Sequence, residues 1–350
     1  MAKIGIIFGG RSGEHEVSLM SAASVIKALE GGKFELSFIG ITKQGEWKLY
    51  SGPVGDIENG EWEKKARPLN PGSLKQEIDF AFPILHGPYG EDGTIQGLFE
   101  MLDIPYAGCG VLASSLAMDK LVAKDIFSFH GLPVCKYVAV MAEELQSDTG
   151  QAVRRLEKEF SGKYPLFVKP ANMGSSVGIS KVKSRGDLFC ALLEAAKHDR
   201  RLIIEEGVDG RELETAVLGN SVAEAASVGE ILPSEEFYSY RAKYFDGGKT
   251  RVIVPADVTG NIAEQIKKIA VKAYMALDCM GYARVDFFLE SGTNNIYLSE
   301  INSIPGFTKY SMFPMLWQDA GLSYYELLER IVDLGYERYY AKNSRQTIVL

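Results

Sequence analysis

The first 115 residues alternate apolar, strand-like runs with helix-like runs, and this alternation limits the possible folds more than any other feature. The predicted strands cover residues 3–8, 34–41, 79–85 and 104–106, and the predicted helices cover residues 18–29 and 93–102. Alternation of this kind predicts an α/β domain with a parallel, Rossmann-like sheet. Ligands of such sheets collect at the carboxyl ends of the strands. Glu14 and His86 each follow a strand end, so both are predicted site residues.

The rest of the chain divides into two further units. A chain of 350 residues is expected to form two or three domains, and we predict boundaries at residues 1–115, 116–206 and 207–350. The second unit holds a helix from Met118 to Phe129, strands at residues 164–168 and 201–205, and a helix at residues 187–198. The last helix opens with Ser323-x-x-Glu326, the pattern of a capping box.

Two apolar runs near the C-terminus, residues 281–289 and 296–301, flank a turn-rich stretch and predict a β-hairpin. A pairing centred on Thr293 places Asp286 opposite Glu300, whereas a centre half a residue earlier places Asp286 opposite Ser299. The sequence alone leaves this register open.

Carboxylate and amide oxygens share one face of this hairpin. Side chains alternate with period two, so Arg284 lies on the face of Asp286, and Asn302 on the face of Glu300. Like charges across a strand pair repel, so these oxygens call for a cation, and Mg²⁺ suits such ligands. A solvated surface with an Arg–Asp pair is the alternative interpretation.

Lys169 ends a buried strand and is followed by a Gly-rich turn, residues 174–178. A strand-end lysine beside such a loop is typical of phosphate binding, although no Walker A motif is present, and a plain turn is the simpler interpretation of this segment alone. The turn also matches the Gly-x-Ser-x-Gly of hydrolases. His198 is the last histidine of the chain and stands in a helical stretch, which argues against a catalytic triad.

Weaker patterns lie elsewhere. Gly9-Gly10-x-x-Gly13 resembles a dinucleotide fingerprint but has Phe8 in place of the first glycine, so a dehydrogenase is a distant alternative. Glu205 and Glu212 stand at a strand junction where a carboxylate could hold a ribose. Residues 232–251 form a long, aromatic and charged segment without clear periodicity, which predicts a lid or binding loop.

Charge and cysteine usage exclude several classes of protein. The net charge of −8 argues against a general nucleic-acid surface, so an anionic ligand needs a local basic cluster. The four cysteines are far apart, which favours a reducing compartment and no zinc site. We expect no signal peptide and no membrane span, and therefore a cytoplasmic protein.

Together these motifs resemble the D-alanine–D-alanine ligases, a family of the ATP-grasp superfamily, over essentially the full chain. The resemblance rests on residues 8–19 (FGGRSGEHEVSL), 86–97 (HGPYGEDGTIQG), 117–120 (AMDK), 168–170 (VKP), 174–178 (GSSVG), 242–244 (AKY), 281–286 (GYARVD) and 300–308 (EINSIPGFT). It implies a two-lobed ATP-grasp fold after the N-terminal domain. It also implies ligation of two D-alanines through an acyl phosphate, for peptidoglycan synthesis, with ATP as co-substrate, two Mg²⁺ or Mn²⁺ ions and a homodimeric enzyme.

The resemblance also implies residue roles. The metal ligands are Asp286, Glu300 and Asn302. The residues implied around ATP are Lys120, Lys169, Glu205, Glu206, Val208, Glu212, Phe237 and Lys243. The residues implied in substrate binding and catalysis are Glu14, Ser175, Tyr244, Arg284 and the Gly306 N–H, with His86 at the first D-alanine and Ser311 and Met312 at the second. D-lactate- and D-serine-using ligases of the same family are alternatives. Lys243-Tyr244 favours the dipeptide, and an ATP-binding module without turnover is disfavoured because the metal ligands and Arg284 are present.

Overall fold

The computed structural model describes residues 1–174, 177–233 and 250–345, and its strands form three sheets. In chain order the strands are β1 (Lys3–Gly9), β2 (Glu35–Ile41), β3 (Trp47–Tyr50), β4 (Arg67–Pro68), β5 (Phe80–Ile84), β6 (Tyr137–Met141), β7 (Leu166–Pro170), β8 (Ser180–Val182), β9 (Arg201–Glu206), β10 (Gly210–Gly219), β11 (Ala223–Leu232), β12 (Arg251–Ile253), β13 (Gly281–Glu290) and β14 (Ile296–Asn302). The helices are α1 (His15–Leu29), α2 (Val54–Glu58), α3 (Leu74–Glu77), α4 (Thr94–Met101), α5 (Val111–Met118), α6 (Lys120–Phe129), α7 (Ala142–Glu159, kinked at Asp148), α8 (Arg185–Ala195), α9 (Gly260–Ala276), α10 (Met312–Asp319) and α11 (Tyr324–Asn343).

The first sheet has the order β4-β3-β2-β1-β5, and its strand β1 is parallel to both of its neighbours, β2 and β5. The predicted α/β arrangement is therefore confirmed, with β3 and β4 added antiparallel at one edge. The strand predicted at residues 104–106 is reduced to one parallel bridge between Ala81 and Tyr106. Pro105 has no N–H with which to extend this ladder.

The other two sheets are antiparallel. The second sheet has the order β6-β9-β7-β8, and the third has the order β12-β11-β10-β13-β14. The second sheet packs in one core with α7 and α8, and residues of the third sheet pack in another core with α9. The three sheets follow one another along the chain as the predicted units do, and the domain boundaries themselves stay a prediction.

The predicted helix from Met118 to Phe129 is confirmed as α6, which runs from Lys120 to Phe129, while Met118 is the last residue of α5. Asp119 breaks the run with an extended backbone, and its carboxylate accepts the Val122 N–H at 3.1 Å as the N-cap of α6. Arg201 holds the same carboxylate. Because α6 starts anew at this cap, Lys120 stands in its first turn, at the edge of the cleft described below.

The last helix returns to the first sheet. Its predicted capping box is present, since Ser323 and Glu326 exchange hydrogen bonds at the start of α11. The Phe80 and Tyr336 rings lie 4.9 Å apart between their centroids, and Gly335 leaves room for Phe80. This packing ties the C-terminal segment to the N-terminal sheet in one buried core.

The hairpin contains both of the registers that the sequence left open. From Arg284 to Asp286 the pairing is centred on Thr293, with Asp286 opposite Glu300. From Phe287 onward the pairing shifts by one residue, so Ser299 is the extra residue of a β-bulge. The bulge lies beside Glu300, at the point where the strands reach the cleft.

Candidate active site

One cleft, with a volume of about 1900 Å³, is lined by α1 and the loops after β1 and β5 of the N-terminal domain and by strands of the other two sheets. Every predicted site residue that the structure describes lines this cleft; these are Glu14, His86, Lys120, Lys169, Glu205, Glu206, Val208, Glu212, Arg284, Asp286, Glu300, Asn302, Gly306, Ser311 and Met312. The remaining predicted residues lie outside the described part of the chain; these are Ser175, Phe237, Lys243, Tyr244 and most of the predicted lid, residues 232–251. The structure thus gathers the described residues in one place, while their individual roles stay predictions.

The hairpin places alternating charges at the cleft. Arg284 donates from Nε and Nη2 to the two oxygens of Asp286, each at 2.7 Å, and Asn302 Nδ2 lies 2.9 Å from Asp286 Oδ2. Glu300 faces Asp286 across the strands, and Lys120 Nζ lies 3.6 Å from it. Two carboxylates are therefore held side by side by neighbouring cations, as like charges in such a pair require.

Arg284 has a second acidic neighbour that the sequence analysis missed. Glu214 on β10 faces Asp286 in the ladder, and its Oε2 lies 2.9 Å from Arg284 Nε. Burial acts against the charge on Arg284, but the attraction of Asp286 and Glu214 raises its pKa well above its usual value. Glu214 follows the predicted Glu212 by two residues on the same strand face, and this spacing was the signal that could have revealed it.

The hairpin oxygens fit a magnesium site. The described residues contain no cluster of three or more His, Cys, Asp or Glu side chains that would form a full protein cage. Asp286, Glu300 and Asn302 instead offer two carboxylates and one amide on neighbouring positions of two paired strands. This incomplete all-oxygen set suits Mg²⁺, which keeps water and phosphate oxygens among its ligands.

Glu205 is buried at the end of β9 and is shared by two lysines. Lys124 Nζ lies 2.7 Å from Glu205 Oε1, and Lys169 contacts the other oxygen. Burial disfavours the charged carboxylate, but the charges of Lys124 and Lys169 outweigh burial and lower the pKa of Glu205. The same attraction raises the pKa of both lysines against the effect of burial. All three groups are therefore charged at neutral pH.

Lys124 was not predicted, although it follows Lys120 by one helical turn. Its side chain is only 3% exposed and lies behind Glu205, whereas Lys169, 14% exposed, reaches the cleft. Lys169 can therefore meet a ligand while Lys124 remains the inner partner of Glu205.

The link between the second and third sheets, residues 206–210, forms another wall of the cleft. The Glu206 N–H donates to the Lys136 carbonyl and the Gly207 N–H donates to the Pro165 carbonyl. Val208 lines the same cleft, and its N–H has no acceptor among the described residues. A free backbone donor beside a buried carboxylate suits the edge of a heterocyclic base.

The other end of the cleft holds Glu14 and His86 with a third group, Glu91. Gly87 and Gly174 approach Glu14 so closely that a Cβ on either would lie within 3 Å of its carboxylate. Burial, with the charge of Glu14 added, raises the pKa of Glu91 to about 8. Glu91 belongs to the motif at residues 86–97 but was not singled out there, because an acid in a loop gives no pattern of its own.

His86 donates from Nδ1 to the Ile304 carbonyl at 2.8 Å, and its Nε2 lies 3.2 Å from Ser21 Oγ. Burial lowers the pKa of His86, against the charge of Glu14, so the ring is neutral at pH 7. Both ring nitrogens thus have partners within the protein.

Gly306 and the start of α10 line the cleft beyond the hairpin. The described residues provide no acceptor for the Gly306 N–H, and a Cβ on Gly306 would meet Ser311 Oγ at 2.8 Å. Ser311 is the N-cap residue of α10, which starts at Met312, and its hydroxyl contacts Thr308. The start of a helix carries free N–H groups that favour a carboxylate.

One further structural observation concerns membranes. Among the helices in the described part of the chain, none is long and apolar enough to cross a bilayer.

Two models of a known protein family match this chain. Residues 3–109 match the family model described as D-ala D-ala ligase N-terminus, and residues 126–333 match the model described as D-ala D-ala ligase C-terminus. A D-alanine–D-alanine ligase of Thermoanaerobacter sp. (strain X514) is 50% identical over 355 aligned positions, which cover 97% of this chain and 98% of the relative.

Solved structures show the same likeness. The D-alanine–D-alanine ligase of Coxiella burnetii matches with a TM-score of 0.85 at 32% identity, covering 98% of this chain and 96% of that one. The VanG D-Ala:D-Ser ligase of Enterococcus faecalis matches with a TM-score of 0.85 at 37% identity, covering 95% of this chain and 99% of that one.

Proposed function

The chain belongs to the D-alanine–D-alanine ligase family, and on this premise we propose that its cleft joins two D-alanine molecules at the expense of ATP. Its fold is the ATP-grasp fold and it is a ligase, as its relatives are. The observation that carries the proposal is the meeting of the acidic hairpin, the two cleft lysines and the Gly306 N–H in one cleft. The product serves peptidoglycan synthesis in the cytoplasm, and the enzyme is a homodimer.

ATP lies between the second and third sheets. The Val208 N–H and Glu205 meet the adenine, Glu206 and Glu212 line the hinge and ribose side, and Phe237 covers the base. Lys120 and Lys169 neutralise the phosphates, with Lys243 added from the lid. Lysines act here as point charges on phosphate oxygens, which suits a transferring phosphoryl group.

Asp286, Glu300 and Asn302 would hold the metal, two ions of Mg²⁺ or Mn²⁺ for which Glu300 would be a common ligand. When bound, such ions neutralise charge on the β- and γ-phosphates. The residues themselves must give up part of their present pairing, since Asp286 now receives two N–H bonds from Arg284. Glu214 then remains as a counter-ion for Arg284.

The first D-alanine binds with its ammonium group at Glu14. Its carboxylate oxygen attacks the γ-phosphorus, the bond from phosphorus to the ADP oxygen breaks, and an acyl phosphate forms. The amine of the second D-alanine, whose carboxylate lies at Ser311 and the Met312 N–H, attacks the acyl carbon. Arg284 and the Gly306 N–H stabilise the oxyanion of the tetrahedral intermediate. Collapse releases phosphate and the dipeptide, while Tyr244 and Ser175 join Glu14 in closing the site.

Phosphate release from ATP, measured with and without D-alanine and combined with mass spectrometry of the product, tests this function. We expect ADP, phosphate and D-alanyl-D-alanine in equal amounts, and phosphate release only when D-alanine is present. ATP binding without turnover would reduce the protein to a nucleotide-binding module.

The likeness to the VanG ligase raises D-serine as a second substrate for the second site. An equal mixture of D-alanine, D-serine and D-lactate decides between these acceptors. We expect the D-alanine dipeptide to dominate at neutral pH, because Lys243-Tyr244 is typical of dipeptide-forming relatives. Predominant D-alanyl-D-serine or D-alanyl-D-lactate would assign the protein to the other branch.

A further inference from the structure

The segment from Ile304 to Phe307 lines the cleft through Gly306, whose N–H has no acceptor among the described residues, and both ends of this segment are fixed. The Ile304 and Phe307 side chains are buried, whereas Gly306 is partly exposed between them. The Phe307 ring lies 5.9 Å from Phe82 and 5.3 Å from Tyr282 between centroids, edge to face with both. This segment is named here the amide loop.

Three polar side chains of the N-terminal sheet domain hold this amide loop by its backbone. Glu91 accepts the Ile304 N–H at 3.1 Å with one oxygen and the Gly87 N–H at 2.9 Å with the other. His86 Nδ1 lies 2.8 Å from the Ile304 carbonyl. The Ile304 residue is therefore held through both its N–H and its C=O, by two neighbouring side chains of one motif.

Chemistry fixes the direction of every hydrogen bond at His86. A carbonyl oxygen only accepts, so Nδ1 carries the proton and donates to Ile304. In the neutral ring Nε2 is then an acceptor, so the Ser21 hydroxyl donates to it. The lone pairs of Ser21 remain free to accept the Phe307 N–H at 3.3 Å. The chain of bonds runs from Ile304 through His86 and Ser21 back to Phe307.

This arrangement leaves His86 no hydrogen-bonding atom for a substrate. Its two nitrogens are both engaged by the protein, although its ring lines the cleft. Ser21 is fully buried on α1 behind the ring and lies outside the described cleft wall.

We propose that Ser21, His86 and Glu91 are positioning residues that fix the amide loop, so that the Gly306 N–H points at the reacting carbonyl. This inference rests on the proposed function and assigns His86 a role different from the substrate contact expected from the sequence. A displacement of an oxyanion donor by about 1 Å is costly in rate, on the order of 100-fold in the extreme. The three side chains therefore act on the chemical step rather than on the affinity for D-alanine.

Steady-state kinetics of Ser21→Ala provide the main test, because Ser21 cannot reach the substrate from behind His86. We expect kcat to fall about tenfold, the value of one hydrogen bond, while the KM for D-alanine changes by less than about twofold. The matched control is Ser114→Ala, which removes an equally buried hydroxyl that has no hydrogen-bond partner among the described residues. We expect Ser114→Ala to keep the kcat of the wild type.

A double-mutant cycle with His86→Phe extends the test. His86→Phe alone should lower kcat more than Ser21→Ala, and adding Ser21→Ala to it should have little further effect, since the shared bond is already lost. An unchanged kcat in Ser21→Ala would overturn the proposal. A raised KM with unchanged kcat in His86→Phe would also overturn it and make His86 a substrate contact.

Nitrogen-15 NMR of the His86 ring tests the same proposal on the intact protein and does not depend on whether the variants fold. We expect a protonated Nδ1 and an unprotonated Nε2 between pH 6.5 and 9, with both shifts unchanged when D-alanine is added. The opposite tautomer, or a large shift of Nε2 on adding D-alanine, would contradict it. If the wild-type protein forms no dipeptide, the proposed function is refuted instead. The NMR result would still show which ring nitrogen of His86 carries the proton.

Discussion

The two ends of the cleft pair their buried polar side chains in different ways. At the phosphate end charged side chains pair with one another: Arg284 with Asp286 and Glu214, and Lys124 and Lys169 with Glu205. At the amino-acid end the side chains of His86, Glu91 and Ser21 pair with backbone groups of the amide loop. Charge pairs can be exchanged for phosphate or metal, whereas backbone hydrogen bonds fix a geometry. At the phosphate end the charged side chains can therefore exchange their protein partners for phosphate or metal. At the amino-acid end the hydrogen bonds fix the position of the amide loop.

The largest expected effect on activity is at the phosphate end, at Glu300. Glu300→Gln keeps the shape of the hairpin but removes the charge predicted to lie between two cations. We expect kcat to fall about a thousandfold or more, because phosphoryl transfer relies mainly on electrostatic stabilisation. The measurement is ligation at saturating Mg²⁺, with circular dichroism to show that the variant is folded. Glu290→Gln, at a partly exposed acid at the end of β13, is the control that should keep full activity. Turnover like that of the wild type in Glu300→Gln would remove Glu300 from the metal site.

Lys124 tests whether charge pairing at the phosphate end also supports the fold. Lys124→Met leaves Glu205 buried with Lys169 as its remaining cation, and breaking a buried pair on one side costs about 3 kcal/mol or more of unfolding free energy. Urea unfolding measures this loss. Lys120→Met, one turn earlier on the same helix, removes a lysine that is 3.6 Å from Glu300 and should cost less than about 1 kcal/mol. Equal losses in the two variants would show that Glu205 does not depend on Lys124.

Arg284→Lys tests whether the site needs the two-N–H geometry of the guanidinium group or only its positive charge. The present pairing uses two N–H bonds to Asp286, and a lysine keeps the charge without that geometry. We expect kcat to fall about 100-fold, corresponding to the loss of one oxyanion donor, with little change in the KM for ATP. Steady-state kinetics for both substrates provide the measurement. An activity within about twofold of the wild type would mean that charge alone is sufficient there.

The smallest expected effect is a pH dependence at the amino-acid end. The pKa of His86 is lowered in the folded state, chiefly by burial, below its ordinary value of 6.5. The unfolded chain therefore binds more protons at this site, and stability is lost as the pH falls below about 6.5, by at most about 1.4 kcal/mol per pH unit. Urea unfolding of the wild type and of His86→Phe between pH 5 and 8 measures the difference. Parallel pH profiles would show that the buried ring does not contribute.

The sequence predicted the phosphate end far better than the amino-acid end. Alternation on β13 and β14 placed Arg284, Asp286, Glu300 and Asn302 on the cleft side, because strand periodicity and turn composition are local properties. The register was left open because a bulge at Ser299 combines both possibilities, and a bulge has no compositional signature there.

The amide-loop contacts depend on pairs of residues far apart in the chain. Ser21 and Phe307 are separated by 286 positions, and His86 and Ile304 by 218. A serine in an apolar helix and a histidine at a strand end are compatible with many environments. Only the packing of α1, β5 and the segment after β14 determines their partners, so no local pattern could have assigned His86 a positioning role.

Transfer of an oxygen isotope tests the central claim most directly, namely that this cleft activates the carboxylate of one D-alanine by phosphorylation before joining it to another. The wild-type protein is given ATP, Mg²⁺ and D-alanine labelled with oxygen-18 in its carboxylate. In the proposed reaction the attacking carboxylate oxygen stays with phosphorus when the amine displaces phosphate. We expect one labelled oxygen in each inorganic phosphate and one in the new amide carbonyl. Unlabelled phosphate accompanying the dipeptide would contradict the account.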